Sequence, residues 1–197
     1  MLIEHRGSAP QVHPSAYIAP TAVLCGAVRV EPDARILFGA VLTAEDGEIR
    51  VGARTVVMEN ALVRGRARHP SILGEDVLVG PHAHVNGALV GDGCFLATGA
   101  ALFPGCVVGA GAEVRVHGVV HVNTVLAPGA TVPIGWVAVG DPASIFPPGQ
   151  HEQIWAIQDS LDFPGTVYGV DRGTPATERM SRQAAWLASH LGDRPLG

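Results

Sequence analysis

The chain is poor in most features that mark the common functional classes. Charged residues make up 16% of its 197 residues and the formal net charge is -5. No basic surplus is available to track a phosphate backbone, so a nucleic-acid partner is not expected. Aromatic residues are only 5%, so any core must be built from small and aliphatic side chains. The three cysteines, Cys25, Cys94 and Cys106, form no CxxC pair. An odd number without such spacing predicts free thiols, as in a cytoplasmic protein. No stretch approaches the ~20 apolar residues that a membrane-crossing helix needs, so no membrane partner is expected. The opening Met1-Leu2-Ile3-Glu4-His5-Arg6-Gly7 lacks the apolar core of a secretory signal, and the expected location is cytoplasmic. What is abundant is glycine, 25 residues, and proline, 15, with a mean hydropathy of +0.27. That mixture predicts many turns around a small-residue core.

A repeat organises these residues. An aliphatic side chain recurs every six positions: Val12, Ile18, Leu24, Val30, Ile36 and Leu42, then Val51, Val57 and Val63, then Leu73, Val79 and Val85. One step of five leads to Val90, and steps of six follow from Leu96 to Val132. Four residues after each lies a small one, such as Ala22, Ala34, Ala61, Ala83, Cys94, Cys106 or Ala112. The position after the aliphatic residue is often glycine (Gly52, Gly74, Gly80, Gly91, Gly109), which suits a tight corner. Each hexapeptide then makes one short strand and one turn, and three make a triangular coil of about 18 residues that stacks at the ~4.8 Å strand spacing. No coil buries its interior alone; its neighbours supply the core. The fold class expected is all-β, a left-handed parallel β-helix with C-terminal α-helices. The boundaries read as an N-terminal segment, 1–10, a β-helix domain, 11–148, and a helical appendage, 149–197. In the appendage one helix is predicted over 150–161, broken by Phe163-Pro164-Gly165. A second carries Met180, Ala184, Leu187 and Leu191, with Thr174 as cap and Pro175 in the first turn.

The breaks in the repeat carry a family resemblance. The interruptions after Leu42 and Val63, the short step from Val85 to Val90, and the segments Ile49-Arg50-Val51-Gly52-Ala53-Arg54-Thr55, Leu73-Gly74-Glu75-Asp76-Val77-Leu78-Val79-Gly80 and Val139-Gly140-Asp141-Pro142-Ala143 resemble those of γ-class carbonic anhydrases. The resemblance covers about residues 11–160. It implies a homotrimer with the active site between subunits, and three zinc-binding histidines. Those positions correspond here to Arg64, Pro81 and Asn86. The family's Arg-Gly-Asp before the first break is replaced by Thr43-Ala44-Glu45, and the glutamine that orients the zinc-bound water by Met58. Arginine and proline are not zinc donors and the amide is a poor one, so zinc and carbonic anhydrase activity are not expected, and no metal or cofactor is predicted.

Two groups of residues could replace that chemistry. Arg64, Arg66, Arg68 and His69 lie in the loop beside the old site, with Asn86 stacked on Arg64 and Glu59 close by. A guanidinium there could hold a carboxylate or phosphate by paired hydrogen bonds; the plainer reading is a solvated loop, or an arginine paired with Glu45 or Glu59 across the trimer contact. His82 and His84 flank the corner at Pro81. By the repeat, His117 lies above His82 with Gly99 between, and His121 above Phe103 and Asn86. A histidine on such a coil could act as general base; the plainer reading is corner histidines bonded to backbone or water. Cys25, outside both inward columns, is expected to be an unreactive thiol. The leading expectation is a homotrimer that binds or acts on a small anionic molecule. A histidine-based acyltransferase using a coenzyme A thioester is the second reading, and a non-catalytic trimeric scaffold the third.

Overall fold

The computed structural model describes residues 1–196 and contains a parallel β-helix followed by short helices. The six-residue period resolves into three ladders, because three hexapeptides complete a coil. One face stacks Val12, Val30, Val51, Leu73, Val90, Val108 and Leu126. The second stacks Ile18, Ile36, Val57, Val79, Leu96, Val114 and Val132. The third runs Leu24, Leu42, Val63, Val85, Leu102, Val120 and Ala138. Like lies on like at strand spacing, so the core is a continuous column of aliphatic contacts, with Ala22, Ala40, Ala61, Ala83, Ala100, Cys106 and Ala112 filling the corners.

The corners correct one expectation. Glycines one place after the ladder residue do not have positive φ; the left-handed residues lie two places further on, as at Asp33, Arg54, Asn60, His82, Gly99, His117 and Asn123. Gly52 is needed for close approach instead. A Cβ there would lie 2.2 Å from the Gly74 carbonyl oxygen in the next coil.

The breaks in the repeat are two excursions at one edge. The strand Val41–Val51 runs out through Glu45-Asp46-Gly47, and the strand Leu62–Gly65 is followed by a tight turn closed by paired backbone bonds between Arg66 and His69. Asp46 Oδ1 accepts the Ala67 amide at 3.1 Å, tying one excursion to the other. Gly87, at φ +61°, makes the five-residue step, and its N–H reaches the Arg64 carbonyl and Ser71 Oγ.

The N-terminal segment, set apart from the β-helix by the repeat, joins it: Leu2–Glu4 pairs in parallel with Leu24-Cys25. The last strand, Arg194–Leu196, pairs antiparallel with Leu2–Glu4 and brings the chain ends together. Between them lie α1 (His151–Gln158), α2 (Phe163–Tyr168) and α3 (Ala176–Leu187). The predicted break at Phe163-Pro164-Gly165 is itself helical. Asp162 caps α2 by accepting the Gly165 amide, and proline is tolerated in that first turn. The cap of α3 is Pro175, not Thr174, and no side chain bonds to it. Met180 on α3 is 50% exposed, and Leu191, predicted on the same helix, lies beyond its end in the 3-10 turn Ala188–Gly192 and is 92% exposed.

Candidate functional site

Outward residues follow the same register as the inward ladders. On the third face the pairing Cys25↔Thr43↔Arg64↔Asn86 continues through Val85↔Leu102↔Val120, so Phe103 and His121 follow in successive coils. Arg64 and Asn86 are therefore immediate neighbours. Pro81 is not with them: it follows the second-face strand Leu78–Val79 and lines an apolar groove with Met58, Phe95 and Ile134.

Arg64 is held from below. Its Nε lies 3.5 Å from Oε1 of Glu45, whose side chain is only 2% exposed. The same carboxylate accepts from His190 Nε2 at 3.0 Å and from the Thr43 hydroxyl at 3.4 Å. The arginine–Glu45 pairing considered across a trimer contact is thus formed within one chain. Ser71, which no motif singled out, donates to the Arg64 carbonyl at 2.6 Å and fixes that backbone. Arg64 Nε meets only the Glu45 carboxylate, and His84 Nε2, Asn86 Oδ1 and His121 Nδ1 are buried and find no hydrogen-bond partner among the described residues.

His84 and His121 stand on either side of Phe103, with ring centroids 6.2 and 6.0 Å away. Phe163 of α2 closes over His121 at 5.6 Å, and Asn123 holds that segment by donating to the Leu161 carbonyl at 3.0 Å and the Thr166 hydroxyl at 2.9 Å. Burial lowers the pKa of both histidines. The positive charge of Arg64 lowers His84 further. Both are thereby biased toward the neutral imidazole near pH 7, the form that can accept a proton.

The other candidates are dispersed. His82 and His117 occupy left-handed corners at φ +56° and +54°, exposed, in the column Asn60, His82, Gly99, His117. Histidine is among the residues that tolerate that conformation, which accounts for both without a catalytic role. His117 packs where a side chain on Gly99 would stand. Arg66 stacks on Trp186 of α3 at 4.8 Å and donates to the Val167 carbonyl. His69 is half-buried, with its pKa lowered by burial and then by Arg68 and Arg66. Arg66, Arg68 and His69 border a cleft of about 390 Å³ against α2 and α3. Arg68 is exposed and Glu59 half-buried, and the carboxylate on Arg64 is that of Glu45, not Glu59. His5, His190 and Asp193 were not visible to the sequence reading, and the structure gathers them around Cys25.

No protein-family model matches the chain. It is 31% identical over 159 residues to "Gamma carbonic anhydrase 1, mitochondrial" of Arabidopsis thaliana, across 77% of this chain and 55% of that protein. It is likewise 31% identical over 157 residues to "Gamma carbonic anhydrase 2, mitochondrial" of the same plant, across 77% and 54%. The chain thus spans about half the length of the curated relatives it matches. Among solved structures it is similar to a hexapeptide transferase family protein from Anaplasma phagocytophilum, 25% identical over 82% of this chain and 92% of that one, with a TM-score of 0.39. Among the described residues no helix is long and apolar enough to cross a membrane.

Proposed function

This chain belongs to the γ-carbonic-anhydrase-like family of hexapeptide-repeat proteins, and from that premise we propose that it works as a homotrimer that binds a small carboxylate or acyl anion beside Arg64 and Asn86, without the family's zinc. One observation carries this reading. Beside the Arg64 guanidinium, whose Nε meets only the Glu45 carboxylate at 3.5 Å, His84 Nε2 and Asn86 Oδ1 are buried and without hydrogen-bond partners among the described residues. Buried polar atoms left unpaired cost about 1–3 kcal/mol each. A planar anion offers acceptors to a guanidinium and an imidazole N–H together, and the amide can turn its NH₂ toward the same ligand because its two ends are interchangeable in shape.

The positions that correspond to the family's zinc ligands do not fit that ion. The guanidinium of Arg64 is engaged with Glu45. Pro81 has no side-chain donor and faces the groove of Met58 and Phe95. An amide alone is a poor zinc ligand. Trimerisation is supported by the same groove, where Phe95 is 44% and Ile134 66% exposed; apolar patches of this kind mark subunit contacts. The test is sedimentation to determine the mass, with thermal shifts in acetate, malonate and bicarbonate. The trimer is expected to be stabilised by at least one of these anions, and Arg64→Gln to abolish the shift. A monomer, or equal shifts in both proteins, would contradict the reading.

A second reading is acyl transfer with His84 or His121 as general base, favoured by their place on either side of Phe103 and by burial, which lowers the pKa of both imidazoles. A thermal shift with acetyl coenzyme A that is lost in His84→Ala would favour it over simple anion binding.

A further inference from the structure

The N- and C-terminal ends of the chain meet over the outer face of the first coils, and a group of metal-donor side chains meets there with them. His5 follows the strand Leu2–Glu4, Cys25 lies in the strand Val23–Val30, His190 lies in the 3-10 turn Ala188–Gly192, and Asp193 precedes the strand Arg194–Leu196. One potential ligand atom from each of the four lies within 4.8 Å of all the others. Asp193 is central: Oδ1 lies 2.5 Å from His5 Nδ1, and Oδ2 lies 2.8 Å from His190 Nδ1 and 3.6 Å from Cys25 Sγ. The two imidazoles stack with centroids 4.4 Å apart.

We propose that His5, Cys25, His190 and Asp193 form a binding site for zinc that clamps both chain ends onto the β-helix. The site is separate from the cleft at Arg64 and does not rest on the anion-binding reading. Three arguments support it. The first is donor chemistry. One thiolate, two imidazoles and one carboxylate are the ligand types of tetrahedral zinc. Bond lengths of about 2.0–2.3 Å put such donors roughly 3.3–3.8 Å apart, so Asp193 must draw back by about 1 Å from the imidazoles it now bonds, while pairs out toward 4.8 Å close in. Binding releases the Cys25 thiol proton to water and leaves the sulfur as thiolate, while the imidazoles bind as neutral donors.

The second is burial. The His5 side chain is 0% exposed, with its Nδ1 turned to Asp193. Two carboxylates, Glu45 and Asp193, converge on this region, with Arg64 bonded to one of them. A divalent cation would take the place of the proton that these carboxylates hold on His190. The third is the outer layer. His190 presents its other nitrogen, Nε2, to Glu45 Oε2 at 3.0 Å. A ligand imidazole hydrogen-bonded to a carboxylate through its second nitrogen is the usual arrangement around protein-bound zinc, because it orients the ring and raises its basicity. Glu45 also holds Arg64, so the clamp and the anion cleft share one buried carboxylate.

The test is metal analysis of full-length protein produced with zinc and purified without chelator. About one zinc per chain is expected. Cys25→Ser and His190→Ala should each lose most of it, while Arg64→Gln, His84→Ala and His82→Asn keep it. Cobalt substitution of the wild-type protein gives a reading that does not depend on the variants folding. A thiolate-to-cobalt charge-transfer band with tetrahedral visible bands is expected. Protein without bound zinc, a cobalt spectrum without the thiolate band, or zinc that stays in Cys25→Ser and His190→Ala would each overturn the site. Zinc lost from His84→Ala but kept in Cys25→Ser would place the metal in the cleft instead, overturning both this site and the metal-free cleft. Loss of anion binding in Arg64→Gln with zinc retained leaves the clamp standing.

Discussion

Glu45 Oε1 lies 3.5 Å from Arg64 Nε, and the glutamate side chain is 2% exposed against 29% for the arginine. The acid is buried and the base reaches outward. Glu45 therefore serves as the fixed counter-ion that lets a partly buried guanidinium stay charged and in place. Removing the acid leaves Arg64 without its anchor and His190 without its acceptor. Glu45→Ala is expected to lower stability by about 2 kcal/mol, less than for a fully buried pair because Arg64 is partly solvated. Chemical denaturation checks it. Glu45→Gln should retain much of the stability by keeping an acceptor for His190.

The corners give a sharper contrast. Gly52→Ala puts a methyl 2.2 Å from a backbone oxygen of the next coil, whereas Gly111→Ala meets nothing within 4 Å and suffers only from its φ of +68°. The first is expected to cost about 3 kcal/mol or more, since two backbones must separate. The second is expected to cost about 1 kcal/mol. Equal thermal shifts in the two variants would mean that the coils are not stacked at this spacing.

His84 carries a pH dependence of known sign. Its pKa in the folded chain is lowered, mainly by burial and then by Arg64. The unfolded chain therefore takes up a proton at higher pH than the folded one. The contribution of His84 to stability is complete above the ordinary histidine pKa of about 6.5 and is lost as pH falls from there through the lowered value. A proton titration followed by NMR should place the His84 midpoint below 6.5. In Arg64→Gln it should move up part of the way, because burial remains. A midpoint unmoved by Arg64→Gln would mean that the two groups do not face each other.

The aromatic cover over His121 is tied to the β-helix through Asn123. Asn123 bonds both Leu161 and Thr166, and between them Phe163 packs on His121. Asn123→Ala is expected to loosen that segment and to speed modification of His121 by diethylpyrocarbonate several-fold, with the β-helix intact by circular dichroism. An unchanged rate would show that the cover is held by other contacts.

Much of the fold was legible in the sequence because its periodicity is physical. Val63, Val85 and Leu102 stack directly, so their spacing in the chain reports their spacing in the core. The same register places outward neighbours, which is why Asn86 on Arg64, and His121 above Phe103, were legible in the sequence, whereas His84 against Phe103 was not. The ends of the chain could not. His5 and Asp193 are 188 residues apart and lie outside the main run of the repeat. Their approach depends on the last strand pairing with the first, which no local period encodes. Cys25 was legible as an outward residue, but not what covers it. The helix at Phe163 was missed because Pro164 reads as a breaker, although in a first turn it costs no hydrogen bond.

The most direct measurement of the anion-binding reading is a titration of wild-type protein with acetate, followed by the ¹⁵N–¹H resonance of Arg64 Nε and the imidazole signals of His84. Saturable shifts of both, from one binding curve, are expected, together with their loss in Arg64→Gln. An Arg64 Nε resonance that does not move while anions bind elsewhere would contradict the assignment of the cleft.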